Sequence, residues 1–599
     1  MCGVFFTNSL NEYKSKEISS SLLMRGPDKG TVLSESDYIV QFARLSIRDI
    51  SGGDQPYFSQ ENSHIAAING ELYNEDFVKN RLKIHRNIIP SGDMQLLAEF
   101  LIQDIDNLRY IEGMFAGFIY NKFKKEIVLF RDPVGEKPLY FYITNGTITI
   151  SSTIGAIIEH FDKDNFRLNI RTLFKGHHSP GETIFAEIKE VLPGHYLKFS
   201  LASHELRNVK YFKWPTRNIE DASNYNPRPQ FTDYFLNAVK TTSISEVPIC
   251  MLLSGGLDSA AILAALNTVK STAIPAFTLK FENQTYDESA LAQLSAKSLG
   301  SSHTIISITN REFATNISEV MDSLDSPILD PAYIPMYFLA KKIRNDYGFK
   351  VAITGDGGDE LFRGYELYKI MKSVNFANSF PINIASIAAI NIFNLLNVGS
   401  NRRNSLSFLL NRLCTVLENQ NIPWNETALS PFAGTELFSL LAPPKIKSPI
   451  TKSRRITQID IDNYYHDEIL PQVYLKKSDN GSMSNGLELR APFLNKSMLN
   501  FAHTISGKNL GAKPHKWLLR EYLLDQVPSK ILNQPKRGFS VPLSGIISNI
   551  KKPTWKLEKI NLNSNVCDSV WEKGCKGDAN AARAGYGIMV LNSYFQRYV

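Results

Sequence analysis

Residues 247–259 read VPICMLLSGGLDS. From Val247 to Leu253 the run is almost wholly apolar and ends in a Ser-Gly-Gly turn. That is the pattern of a strand buried on both faces of a parallel sheet. Beyond the turn, LDSAAILAALNTV reads as a helix rich in apolar residues. A buried strand that passes through a glycine turn into a helix makes a phosphate cradle, because backbone N–H groups and the helix dipole face the anionic oxygens. Leu253, Ser254, Gly255, Gly256, Asp258 and Ser259 are therefore the phosphate-binding candidates, with hydroxyl donors from the two serines. A carboxylate beside a phosphate needs a bridging cation, so Asp258 implies Mg2+. The loop is not GxxxxGK[ST].

Downstream the same alternation continues. TAIPAFTLKF, HTIISIT and FKVAITGDGG read as further strands, with SAAILAALNTV and DESALAQLSAKSLG as helices between them. This is an α/β domain with a parallel sheet, and its last part, from about residue 460, reads as helical. Upstream, residues 213–229 (KWPTRNIEDASNYNPRP) are polar with three prolines, which reads as a linker. Before them, SHIAAIN, EIVLFRD, LYFYITNG and TITISS form a β-rich region, and Asn145-Gly146 marks a hairpin. The expected division is 1–212, a linker at 213–229, and 230–599.

Composition sets bounds. The 599 residues exceed one ordinary domain, and 43% hydrophobic with 21% charged residues is ordinary globular material. A net charge of +7 spread over the chain, with no basic run, gives no nucleic-acid footprint. Five widely spaced cysteines contain no CxxC pair, so neither a zinc site nor a disulfide framework is expected, and a reducing cytoplasmic compartment fits. MCGVFF is not a signal peptide. Residues 373–401 carry no charge, but Pro381 interrupts them and Asn391, Asn394 and Asn397 form a polar stripe. An amphipathic helix is expected there rather than an integral membrane span.

Cys2 follows the initiator Met, whose removal would place a thiol and a free α-amine on one residue. That is the arrangement of an N-terminal nucleophile. Downstream stand Arg25-Gly26-Pro27-Asp28, Ala43-Arg44-Leu45-Ser46-Ile47, Asn69-Gly70-Glu71-Leu72-Tyr73-Asn74, Asp93, and Arg131-Asp132 with Gly135 and Pro138-Leu139-Tyr140. In these motifs residues 1 to about 200 resemble the class II glutamine amidotransferases. The resemblance implies an Ntn-hydrolase αββα sandwich with Cys2 as nucleophile and Asn69 and Gly70 as oxyanion donors. It also implies a glutamine site in which Arg44 holds the α-carboxylate while Glu71 and Asp93 hold the α-ammonium. Two positions depart from the family pattern: Met24 stands where His is frequent, and Gln95 where SDxE has its Glu.

SGGLDS resembles the PP-loop of ATP pyrophosphatases. With Tyr286-Asp287-Glu288-Ser289, Asp325-Ser326-Pro327, Asp330-Pro331, Thr354-Gly355-Asp356-Gly357-Gly358-Asp359-Glu360, Gly364-Tyr365 and Lys536 in QPKRGF, the chain from about 229 to 545 resembles the synthetase domain of the asparagine synthetases. The resemblance adds Thr354 and Gly355 to the ATP site and Asp359 to Asp258 as a metal ligand. It places Asp356 near the acyl-adenylate and Lys536 at the α-phosphate. Within Val473 to Asn495, read as helical, the family pattern KxDRxSMxxxxExRxPFLD is matched by Lys477, Asp479, Ser482, Met483, Glu488, Arg490 and Pro492, whereas Asn480 and Asn495 replace its Arg and last Asp. The expected reaction is ATP- and glutamine-dependent amidation of aspartate. The alternative is a sugar uronate or other carboxylate, kept open by the two asparagines, on the assumption that this region shapes the acceptor side, and by the uncharged stretch 373–401. Partners are these small molecules, and the family adds a homodimer as an expectation. A tRNA-modifying PP-loop protein would carry a basic module, and a catalytically dead protein would have lost Cys2, Asp258 or Asp359; neither loss nor module is present.

Overall fold

The computed structural model describes residues 2–13, 17–82, 92–217, 226–282, 287–365, 368, 430–433, 435–441, 457–505, 510, 516–534 and 541–598. Lys536, Tyr286, the stretch 373–401 and residues 218–225 of the expected linker lie outside them.

The first strand, Cys2–Thr7, alternates its side chains between two faces. Val4 and Phe6 enter a core shared with Ile65, Ala67, Phe118 and Leu129, while Phe5 faces the other way onto Leu22 and Ala156. The first core lies between two six-stranded antiparallel sheets. One contains Cys2–Thr7 beside Ile39–Arg44; the other contains His64–Leu72 between Tyr57–Phe58 and Gly113–Asn121. Helices cover both outer faces: Ser20–Arg25 and Ile154–His160 on one, Asp93–Gln103 on the other. The layers are α, β, β, α. The hairpin expected at Asn145-Gly146 forms, with φ of 47° and 77° at the two turn residues.

A five-stranded sheet builds the second half, and every pairing in it is parallel. Three of the four strands expected in sequence surround Ile249–Leu252 in space: Ala276–Phe281 and then His303–Ile308 lie to one side, and Val351–Ile353 lies directly on the other. The strand order reverses at Ile249–Leu252, and such a reversal is where open α/β sheets bind ligands, beyond the strand C-termini. The fifth strand, Glu488–Arg490, corrects the reading of 473–495 as helical throughout: helical turns end at Met483, and three residues then pair with Val351–Ile353. Those three carry no periodicity long enough to see.

The halves also share an interior. The C-terminal helix Ala579–Tyr598 packs Tyr586, Tyr594 and Phe595 into one core with Tyr140, Ile154 and Phe185 from the first half and Ile328 and Tyr333 from the second. Among the described residues no helix is long and apolar enough to cross a membrane.

Candidate active sites

Cys2 opens the first strand, opposite Arg44 in the register, and is 7% exposed. Its backbone N–H donates to Asn69 Oδ1 at 2.8 Å. Asn69 Nδ2 is thereby aimed away from that bond, and it is buried with no partner among the described residues. A buried amide donor left unmade is costly unless something is meant to accept from it. Burial pushes the Cys2 thiol up, opposed by the positive chain terminus, the Leu45 backbone and Arg44. Gly70 lies so close to the next strand that a Cβ there would collide with Met114 O and come within 2.7 Å of Phe115 Cα.

The residues expected to hold glutamine are together but already engaged. Arg44 donates to Asp49 O at 2.7 Å, Asp54 Oδ1 at 2.9 Å and Ile50 O at 3.3 Å, which seats it in the loop 48–54. Asp93, at the start of Asp93–Gln103, accepts from the backbone N–H of Leu72 at 3.0 Å and of Met94 at 2.8 Å. Arg48, which the sequence reading passed over as the variable position of RLSIxD, lies 3.4 Å from Asp93 and 3.6 Å from Glu71 and pairs with Glu75 at 2.6 Å. Glu71 also reaches the other half of the molecule, where Arg490 Nη2 lies 2.9 Å from its Oε1. Burial drives the Glu71 carboxyl up to about 8, with Arg490 pulling the other way. Asp93 is also raised by burial.

At the second site, Leu253 follows the strand and the helix Leu257–Lys270 begins with Gly256 as its cap and no side-chain cap. Ser259 Oγ donates to Ser254 O at 3.0 Å and Gly256 O at 3.1 Å, folding the loop on itself. On the neighbouring strand, Thr354 N donates to Arg490 O at 2.9 Å, and Thr354 Oγ1 reaches Asp356 at 3.2 Å. Ser478 Oγ donates to the same Asp356 oxygen at 3.1 Å. A Cβ at Gly355 would lie 3.3 Å from Asp258 Cβ and one at Gly358 2.9 Å from its carboxylate, so the glycines let the two loops touch. Asp258 and Asp359 therefore converge, and the ammonium of Lys516 bridges them. Asp258 Oδ1 is buried without a hydrogen bond. Among the described residues no group of three or more metal-ligating side chains occurs. Two converging carboxylates with a free oxygen nevertheless fit Mg2+, which takes one or two protein carboxylates and completes its shell with phosphates and water. Lys516 was invisible in the sequence, where it is one lysine in KPHKW.

Between the two sites runs a buried ionic path. Arg490, 1% exposed, joins Glu71 to Glu488, whose Oε1 lies 2.5 Å from Arg490 Nε. Burial alone would raise Glu488, but Arg490, the chain terminus and Lys137 hold it low. Asp479 takes a bidentate pair from Arg25 at 2.7 and 3.1 Å, with Lys137 at 3.5 Å. Glu136 is buried beside Asp132 and faces the field of Asp356 and Glu488; burial and Asp132 raise it far above the usual carboxylate range.

Residues 230–560, more than half of the chain, match the family model described as asparagine synthase, and residues 1–212 match that of a glutamine amidotransferase domain. The chain belongs to the asparagine synthase family. It is an enzyme, a ligase with its own glutamine amidotransferase domain. The chain is 27% identical over 555 residues to asparagine synthetase [glutamine-hydrolyzing] 1 of Bacillus subtilis (strain 168), covering 89% of this chain and 84% of the relative. It is 26% identical over 394 residues to asparagine synthetase B [glutamine-hydrolyzing] of Escherichia coli (strain K12), covering 61% and 65%. Over 374 residues it is 26% identical to amidase chyE of Penicillium rubens, covering 58% and 54%.

In this asparagine synthase-family enzyme two of the departures from the family pattern, Gln95 and Asn495, make local structural contacts. Gln95 Nε2 donates to Gly52 O at 3.0 Å and so ties the helix carrying Asp93 to the loop that seats Arg44. Asn495 caps the helix Lys496–Thr504, accepting from Ser497 N at 3.0 Å, and donates to Thr241 at 3.3 Å. Met24 and Asn480, far apart in sequence, line one small cavity between the halves with Asp325, Arg597 and Tyr598. Its volume of 10 Å³ is room for about one water. Asn480 thus lines an interdomain cavity and Asn495 caps a helix. Asp325, of the Asp-Ser-Pro motif, caps the helix Ile154–His160 across the interface by accepting from Ile154 N and Gly155 N, each at 2.9 Å.

Proposed function

We propose that the enzyme amidates aspartate to asparagine through an acyl-adenylate, with ammonia delivered from glutamine hydrolysed at Cys2. The observation that carries this reading is the placement of strand Glu488–Arg490. Its carbonyls and N–H groups bind the strand that presents Asp356, while its Arg490 side chain reaches Glu71, two residues from Asn69. The two sites are thus joined through three residues of one element.

At the first site, removal of Met1 exposes the Cys2 α-amine at the nitrogen that Asn69 Oδ1 already holds. That amine takes the proton from the buried thiol, and the thiolate sulfur attacks the amide carbon of glutamine. Negative charge on the carbonyl oxygen is met by Asn69 Nδ2, the donor left without a partner. The amide nitrogen leaves as ammonia with the proton, and water cleaves the thioester to glutamate. Glutamine's α-ammonium takes the Glu71 and Asp93 carboxylates, and its α-carboxylate draws on Arg44.

At the second site, ATP lies across the Ser254–Ser259 loop with Thr354 and Gly355 at its edge. An aspartate carboxylate oxygen attacks the α-phosphorus and pyrophosphate leaves. Mg2+, held by Asp258 and Asp359, would neutralise the leaving pyrophosphate, and the family resemblance adds Lys536 at the α-phosphate. Ammonia then attacks the acyl carbon, AMP departs, and Asp356 accepts the proton released from nitrogen. Ammonia must travel inside the protein, because in neutral water it becomes ammonium, which is no nucleophile. The uronate alternative rests on Asn480 and Asn495 and on the uncharged stretch 373–401, which lies outside the described residues. The test is ATP-dependent pyrophosphate release with glutamine present, comparing aspartate with a panel of uronates. Aspartate-stimulated release with asparagine and AMP as products is expected; stimulation by another acid alone would overturn the acceptor while keeping the chemistry.

A further inference from the structure

Two acids that follow adjacent strands, the half-buried Asp258 and the buried Asp359, both meet the ammonium of Lys516, whose side chain is 7% exposed. The position is built. Lys516 adopts a left-handed backbone, φ 56°, which a long side chain rarely does, at the cap of the helix Trp517–Tyr522. Gly364 leaves the room: a Cβ there would collide with the Asp359 carboxylate and lie 2.7 Å from Lys516 Cε. Two carboxylates this close and this buried repel each other unless a cation lies between them.

We propose that Lys516 is a resident cation of the nucleotide site: without nucleotide its ammonium fills the place between Asp258 and Asp359, free divalent metal is kept out, and metal enters only together with ATP. This rests on the ATP reading given above. The logic is one of charge. Free Mg2+ arriving alone would have to drive a buried ammonium off its two acids with no new anion for it. Mg2+ arriving on a triphosphate brings anionic oxygens that the displaced ammonium can pair with. Metal and nucleotide then help each other bind, by the same factor in either order.

The experiment uses the full chain and Mn2+ as the probe, titrated without nucleotide and followed by the EPR signal of free Mn2+. Wild type binds Mn2+ weakly. Lys516→Met keeps the stem and removes the charge, and it binds Mn2+ on the order of tenfold or more tightly. Adding Asp359→Asn to that variant abolishes the gain, which locates it. A Lys516→Met protein that binds Mn2+ no more tightly than wild type, or a gain that survives Asp359→Asn, overturns the proposal. Should the bare carboxylate pair prevent Lys516→Met from folding, Lys516→Gln is melted with and without Mn2+; its Tm must rise more with metal than that of wild type, and an equal rise overturns the proposal. Because the titration holds no nucleotide, failure of wild type to take up ATP with Mn2+ in equilibrium dialysis would sink the ATP reading separately.

Discussion

Asn69 serves two clients with one amide. Its oxygen holds the Cys2 nitrogen, and its nitrogen, buried without a partner among the described residues, is the donor proposed above for the oxyanion. Asn69→Asp keeps the acceptor and removes the donor, so kcat for glutamine hydrolysis is expected to fall by on the order of 10²–10³ with a small change in KM. Steady-state glutaminase assays check this, and an unchanged kcat would take Asn69 out of the oxyanion site. Glu71 predicts a pH effect. Its folded value, about 8, lies above the ordinary glutamate value of 4.5. The folded state therefore binds the extra proton, and the stability contributed is present below the ordinary value and lost as pH rises through about 8. Glu71→Gln should flatten the fall in Tm between pH 5.5 and 8 relative to wild type, as read by thermal melts; parallel curves would mean that Glu71 is ionised throughout. Motif residues such as Cys2, Asn69 and Asp258 were legible in sequence because their chemistry needs neighbours in the chain. Lys516 was not, because it stands 258 residues from the aspartate it touches and nothing local marks it.

Among the elements, Glu488–Arg490 matters most for its length. Three residues give a sheet no hydrophobic alternation to recognise, and two of the three are charged, so its burial could not be inferred. The other four strands of that sheet were legible, since their apolar runs end in glycine or polar turns. Arg490 holds two buried acids at once, and Arg490→Met would leave both without it. The cost is roughly 3–5 kcal/mol, because an uncompensated buried charge is far more expensive than the pair is worth. Urea unfolding checks the magnitude; a loss below about 1 kcal/mol would mean that water reaches the acids. The segment after the first sheets acts as a strap: Trp214 stacks on His466 at 4.0 Å, and Arg217 donates to Ala502 O at 2.9 Å and Leu361 O at 3.0 Å, next to the turn that carries Asp359. Its prolines and polar residues gave its position in sequence, but a polar composition predicts exposure, and Arg217 is buried because its guanidinium is spent on backbone carbonyls.

Across the whole molecule, burial keeps a set of imidazoles neutral: His177, His178 and His466 fall to about 3, and His160 and His503 to about 4. The unfolded chain takes protons on these groups below the ordinary value of 6.5 while the folded chain does not, so stability falls as pH drops from there toward 4. His466 packs against Trp214 and His503 and feels Arg217 and Asp462. His466→Phe preserves the stack and should lose less stability than wild type between pH 7 and 5, measured by urea midpoints; equal losses would show that His466 already carries its proton when folded. The two halves are also sewn together by charge. Glu190 of the first takes Arg131 at 2.9 Å, Lys476 of the second at 3.1 Å and Gln472 at 2.7 Å, all out of water. Such a seam is not a hinge between independent parts. A glutaminase cut free at the linker would expose Glu71 without Arg490 and Glu190 without Lys476 beside a torn apolar face, and a foreign glutaminase grafted in its place would need matching acids at both points. The enzyme has given up interchangeable parts: its nitrogen supply cannot be unplugged and replaced like a cartridge, so these halves must vary together over generations.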